Sequence, residues 1–265
     1  MTNEEPAENI SAGTKPLGTA VEIPDDGAPR AQHVVHRLGE LYWRKSYGDR
    51  PAFACLVRTI LSQNTSDKVS QPAFDALIDR YGSTDLAGEL VDAQRESIAE
   101  AIQPAGLHNQ KARVIQEVAV TICSEFGSGA AFDEYISAAP YGEARSYLLD
   151  LDGVGPKTAD CVMLFAGGAG GVFPVDTHVY RIARRLGIAP PTADHETVRE
   201  HLEADVDPEA CGFGHTSMIQ FGREYCTART PACLEGADQC PLWDLCDQVG
   251  VDPEQGTVVD PSDAE

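Results

Sequence analysis

Apolar positions recur at intervals of three and four along most of the chain, the pattern of helices that each bury one face. Val34, Val35, Leu38, Leu41 and Tyr42 predict a helix from Gln32 to about Lys45. Pro51-Ala52-Phe53 opens the next, because proline suits a first helical turn, and Phe53, Leu56, Val57 and Ile60 form its buried stripe. Val69, Phe74, Leu77 and Ile78 mark a third, and shorter patterns cover about 85–91 and 92–102. A glycine-marked corner, PAGLHNQKA, leads into a helix over about 109–126. Leu148, Leu149 and Leu151 close one run, and Ala159, Val162 and Met163 carry another from Lys157 to Phe165. Helical spacing returns after Asp176, around 195–206, and over 211–225, where Met218, Ile219 and Phe221 are core candidates. No stretch alternates strictly and no two-residue hairpin signal occurs, so the expected fold class is all-α.

Composition narrows the class. At 265 residues and 42% hydrophobic, the chain can build one large or two smaller cores. No run approaches a membrane span, and MTNEEPAENI lacks the basic and apolar regions of a signal peptide; a cytoplasmic location and no membrane partner are expected. Residues 1–30, with Pro6, Pro16, Pro24 and Pro29 and little apolar periodicity, read as a disordered acidic tail, and 247–265 as a second. The net charge of -22 argues against a polyanion as partner, because such binding gains from basic patches. The ends explain only part of it: six acids against two bases in 1–30 and six against none in 247–265 leave -12 in the middle. Few lysines and abundant Asp, Glu, Ala and Gly resemble the solvated surfaces of proteins from salt-loving organisms. At about 1 M salt the Debye length is about 3 Å, so distant acids hardly repel DNA while close contacts survive.

The densest chemistry lies around Gly153-Val154-Gly155-Pro156, which breaks the helical pattern between Leu151 and Lys157. This is a helix, a tight hairpin and a helix. Glycines permit the turn and leave amide N–H groups at the start of the second helix, a surface suited to a phosphate, although an ordinary helix-to-helix turn has the same pattern. Lys157 follows immediately. A lysine amine is a nucleophile only when neutral, and the positive end of a helix in a partly dry cleft favours that form. Asp176, in PVDTH, reads first as a helix N-cap and can also face a developing positive charge.

GVGPKTAD together with VDTHVYR resembles the helix-hairpin-helix and Gly/Pro-Asp motif of the endonuclease III family of DNA base-excision glycosylases. The family's catalytic lysine matches Lys157 and its aspartate matches Asp176. Asp152 departs from the pattern, standing where the family usually has proline and putting a carboxylate beside the expected phosphate site. The resemblance spans about 31–246. It implies two helical lobes, a six-helix module over 51–168 carrying the hairpin and a cluster lobe built from 31–50 with 169–246, with an active-site cleft between them. It implies action on double-stranded DNA with damaged bases or abasic sites, Gly153 and Gly155 holding a phosphate; a monomer is the default expectation. The expected reaction is removal of oxidised pyrimidines followed by β-elimination. An 8-oxoguanine glycosylase is the alternative within the fold, suggested by ADCV after Lys157, and a noncatalytic helix-hairpin-helix DNA-binding protein the alternative outside it.

A glycosylase that rotates a nucleotide out of the duplex must fill the space it leaves. The family's first wedge turn commonly reads LSxQ. Here LSQN puts Asn64 at that position and Gln63 one earlier, so either is a candidate, and a capped helix end is the plainer alternative. Leu107 in GLHNQKA matches the family's second intercalating residue.

Of eight cysteines, Cys55, Cys123, Cys161 and Cys211 stand singly in apolar helical patterns and read as buried small side chains. Cys226, Cys233, Cys240 and Cys246 crowd one loop-rich segment as CX6CX6CX5C. No close CXXC pair of the zinc-ribbon kind occurs among them, and four thiolates on one loop suit a cubane 4Fe-4S cluster. The family carries such a cluster there with a middle spacing of two, so the six residues 234–239 read as carrying a four-residue insertion. Arg229, between the first two cysteines, matches a loop that presents basic side chains to DNA phosphates. His178, His195, His201 and His215 share no metal spacing and are expected at the surface or at caps.

Overall fold

A computed structural model describes residues 24–25, 27–42, 51–65 and 67–264. Among these, twelve α-helices carry the architecture. None is long and apolar enough to cross a membrane. The described residues of Met1–Ser46 and Gly170–Glu265 form one unit, and those of Tyr47–Ala169 the other.

The second unit is built around α2 (Ala52–Ser62), whose Ala52, Phe53, Cys55, Leu56, Val57, Ile60 and Leu61 are all buried. A helix apolar on nearly every side needs neighbours all round. It packs on α3 (Asp67–Tyr81), α6 (His108–Phe126), α7 (Gly129–Ala138) and α9 (Pro156–Phe165), while α4 (Leu86–Asp92) and α5 (Arg95–Ala101) lie on α6. Pro51 cannot cap the start of α2 with a side chain; Asp133 of α7 does so, accepting from the Phe53 amide at 2.9 Å. With α8 (Tyr141–Asp150), the described residues of this unit hold eight α-helices against the expected six. Ser128 caps α7 through the Ala131 amide, and Pro140 resets the chain before α8, so the segment divides into more, shorter helices.

The other unit has its own core, in which Val34, Val35 and Leu38 of α1 (Arg30–Gly39) meet Val179 and Ile182 of α10 (Thr177–Arg185), Val198 and Leu202 of α11 (His195–Asp205), and Phe213, Met218 and Phe221 of α12 (Pro208–Glu224). The first helix ends at Gly39, earlier than the expected Lys45, and Leu41 and Tyr42 reach the core from a turn; residues 43–50 lie outside the described residues. The same holds for 1–23 of the expected N-terminal tail.

The expected C-terminal tail is instead folded through Ala264. Val251–Asp252 pairs antiparallel with Thr257–Val258, and a short 3-10 turn follows at Pro261–Asp263. What orders this polar segment is a distant partner. Arg184 of α10, only 3% exposed, donates to both Asp260 oxygens at 3.0 Å, and the Val249 amide bonds the Arg185 carbonyl at 3.1 Å.

Candidate active site and cluster loop

Leu151 ends α8 and Pro156 begins α9, so the two helices and the turn between them form the expected hairpin. A buried ion pair ties its arms: Arg145 Nε of α8 donates to Asp160 Oδ1 of α9 at 2.6 Å, and Asp160 is 1% exposed. Gly153 has φ +81°, and a Cβ there would lie 2.6 Å from Val114 Cγ1 of α6, so both backbone and space require glycine. Gly155 is different. Its backbone is extended, at φ -96° and ψ 176°, and nothing lies within 4 Å of where its Cβ would be. It leaves open room above the first turn of α9, which carries no side-chain cap. The Gly153 and Gly155 amides have no acceptor among the described residues, so the helix start presents free donors. Lys157, half-buried, sits in that first turn. Asp152, the departure from the family pattern, lies 3.4 Å from Arg113 Nη1, which offsets its charge beside the open donors.

Asp176 belongs to the other unit. It caps α10, its Oδ1 accepting from the His178 and Val179 amides, each at 2.9 Å. Oδ2 accepts no hydrogen bond from the described residues. The helix therefore fixes the carboxylate through one oxygen.

Gln63 and Asn64 prove unalike. Gln63 turns inward, its Nε2 donating to Gly153 O and Thr158 Oγ1, both at 3.1 Å, and so links the end of α2 to the hairpin. Asn64 is exposed, with φ +53°. Leu107 is also left-handed, at φ +48°, and 57% exposed, an uncommon state for a branched apolar side chain. Arg229 is exposed and has no partner among the described residues.

Cys226, Cys233, Cys240 and Cys246 line one cavity with about 410 Å3 of empty space, counting the part open to solvent. All four are free thiols and half-buried. Burial pushes Cys240 up to about 11 and Cys246 up to about 12, so metal charge is needed to hold them as thiolates at neutral pH. Among the described residues no three His, Cys, Asp or Glu side chains converge as ligands of a single ion would. A ring of thiols around a space suits a cubane with one cysteine at each iron. Residues 234–239 do not spoil the ring: 3-10 turns at Ala232–Glu235 and Ala237–Gln239, joined at Gly236 with φ +139°, take up the extra length as a bulge.

Sequence reasoning missed what holds this loop. Arg181 Nη2 donates to Cys226 O at 2.8 Å, and Arg185, 3% exposed, donates to Thr227 O at 2.7 Å and Ala228 O at 2.8 Å. Nothing in RIARR signals that Arg181 and Arg185 serve carbonyls some 40 positions later. One histidine departs from the expectation: His215 is 3% exposed with Nδ1 2.7 Å from Pro174 O, whereas His195 is exposed and stacks on Tyr180 at 3.9 Å. Cys55, Cys161 and Cys211 are buried as expected, but Cys123 only partly.

An uncapped helix-hairpin-helix with a lysine in the second helix, in a chain that also carries a thiol-lined loop, defines a DNA-repair class of protein. The pattern of HhH-GPD superfamily base excision DNA repair proteins matches residues 57–208, and that of the iron-sulfur binding domain of endonuclease III matches 226–246. Endonuclease III of Sulfolobus acidocaldarius is 32% identical over 197 residues, covering 74% of this chain and 82% of the relative. Endonuclease III of Thermotoga maritima is 30% identical over 217 residues, covering 82% and 90%. A solved structure of a trapped endonuclease III–DNA covalent intermediate aligns with a TM-score of 0.62 at 28% identity, over 76% of this chain and 86% of that one. The chain belongs to the endonuclease III family of the HhH-GPD superfamily. It is a DNA-binding glycosylase and abasic-site lyase of base excision repair, with a 4Fe-4S cluster as its cofactor.

Proposed function

We propose that the chain acts as a monomer on double-stranded DNA, removes oxidised pyrimidines such as thymine glycol and cuts the strand at the resulting abasic site, with Lys157 as nucleophile. The observation that carries this reading is the open start of α9, where unpartnered Gly153 and Gly155 amides lie close in sequence to the Lys157 amine. Backbone donors can hold the phosphate of a nucleotide whose sugar the amine attacks. The helix dipole opposes positive charge at that end, and the neutral amine is the reactive form. The trapped covalent intermediate of the solved relative supports an amine mechanism.

In this reading Lys157 Nζ attacks C1′ of the damaged nucleotide. The C1′–N glycosidic bond breaks, and the base leaves with the bonding pair and takes up a proton. Asp176 Oδ2 stabilises positive charge on the opening sugar or assists that proton transfer. The added nitrogen gives up a proton and O4′ takes one as the C1′–O4′ bond breaks, leaving a protonated imine between C1′ and Nζ. The imine acidifies the C2′ proton; its removal expels the 3′ phosphate, and water adding at C1′ then releases Lys157. Asn64 and Leu107 are the side chains that enter the duplex, because both are exposed on left-handed turns while the Gln63 amide is engaged with the hairpin. Arg229 contacts a phosphate. Cys226, Cys233, Cys240 and Cys246 hold the 4Fe-4S cluster, which when bound supplies a four-point crosslink that sets the shape of the Arg229 loop.

The test is incubation at high potassium chloride with duplexes carrying thymine glycol, 8-oxoguanine, uracil or an abasic site, with borohydride to trap the imine. We expect fastest cleavage at thymine glycol, a covalent adduct, and a loss of at least about 10³-fold in Lys157→Ala. Base release with no trapped adduct would replace the amine by activated water; fastest cleavage at 8-oxoguanine would replace the substrate.

A further inference from the structure

Lys111 lies in the first turns of α6 and is only 4% exposed. Its ammonium donates to Leu61 O at 2.7 Å, Thr65 Oγ1 at 2.9 Å and Ala105 O at 3.0 Å. Thr65 Oγ1 in turn donates to Ala105 O at 2.6 Å. No carboxylate is among these partners. A buried charge is normally paired, and an apolar side chain of similar size often serves stability as well. The acceptors suggest why a cation stands here. Leu61 and Thr65 flank the Gln63-Asn64 turn, and Ala105 precedes the Gly106-Leu107 turn, so one ammonium with three donors joins the two. Only three non-glycine residues among those described have positive φ: Asn64, Leu107 and Gln248. Two of the three sit on the turns that Lys111 joins. Its own amide also bonds Leu107 O at 2.9 Å.

We infer that Lys111 is a positioning residue that clamps the two turns together, so that Asn64 and Leu107 enter the duplex as one preformed wedge. The inference rests on the assignment of those two side chains to the DNA gap. Clamped turns meet DNA with their strained backbones already set, whereas free turns must be ordered while the base is being extruded. The clamp therefore matters for a paired lesion and not for an abasic site in single-stranded DNA, where no partner strand leaves a gap to fill.

The test compares Lys111→Met, Thr65→Val and Leu107→Ala on thymine glycol in duplex and on an abasic site in single-stranded DNA. Lys111→Met keeps the apolar stem, and Thr65→Val gives the answer without altering the lysine should the first variant not fold. The expected result is a loss of about 10²-fold on the duplex lesion for Lys111→Met, a smaller loss for Thr65→Val, and unchanged single-strand cleavage for both. Lys111→Met combined with Leu107→Ala should be little worse than Leu107→Ala alone, a coupling that a merely structural lysine would not produce. A duplex defect in Leu107→Ala with none in the folded clamp variants would overturn the clamp. Equal losses on both substrates would reduce Lys111 to a stability residue, and no defect in Leu107→Ala would remove the wedge and the clamp together.

Discussion

Each of the two units is held together internally by different physics. In the hairpin unit, α2 is buried on nearly all sides and the hairpin's second helix α9 leans on it, so regular helices and apolar contact set the geometry. In the cluster unit, the chain beyond Tyr225 has little apolar burial of its own. Its shape comes from Arg181 and Arg185 bonding loop carbonyls, from Arg184 holding Asp260, and from four thiols around one cavity. The site proposed to keep the Lys157 amine in register is thus built on packed helices, and the loop proposed to reach for phosphate is built on polar bonds and a cofactor. The first should tolerate loss of metal and the second should not.

Removing the iron is the strongest way to break this contrast. A structural metal site can contribute on the order of 10 kcal/mol to the fold of its loop. Chelation, or Cys240→Ala, should abolish hydrogen-exchange protection across 226–264 while amides of α2 and α9 stay protected. Simultaneous loss of protection in both would show that the hairpin unit depends on the cluster.

The reverse experiment is Leu56→Ala, which leaves a cavity at a side chain with no exposure. A loss of about 3 kcal/mol is expected, read by denaturant unfolding, with iron content unchanged.

The smallest effect concerns the C-terminal segment. Asp260→Asn should cost only about 1 kcal/mol, because that carboxylate is 52% exposed although Arg184 is buried. Acid should mimic it. The Ser262 amide, with Arg184 behind it, holds the Asp260 carboxyl below its usual 3.8, so its contribution is present above that value and lost as the pH falls below it. Exchange at the Val259 amide, which bonds Gly250 O, should accelerate in that range ahead of the helical amides.

These contrasts also explain what could be read in advance. Helices α2, α6 and α9 announce themselves because burial of one face repeats locally, and GVGPK and VDTH carry their chemistry within a few neighbouring positions. The rest depends on partners far away in sequence. Gln63 and Asn64 look equivalent until Gly153 O, 90 positions on, engages one of them. Lys111 looks like the polar face of an amphipathic helix until Leu61, 50 positions back, accepts its hydrogen bond. The segment after Cys246 has the acids and prolines of a tail, and distant partners order it: Arg184, 76 positions before Asp260, and the Arg185 carbonyl that accepts from the Val249 amide. Cysteine spacing suggested a cluster, but not that two short 3-10 turns would absorb the extra length.

The central claim is that the hairpin serves to bring the Lys157 amine to a damaged sugar. The most direct measurement is mass spectrometry of the borohydride-reduced adduct after digestion of protein and DNA. The account predicts a deoxyribose-derived remnant on the peptide containing Lys157 and on no other lysine. A remnant on Lys111, on Lys68 or on the N-terminal amine with Lys157 unmodified would contradict it.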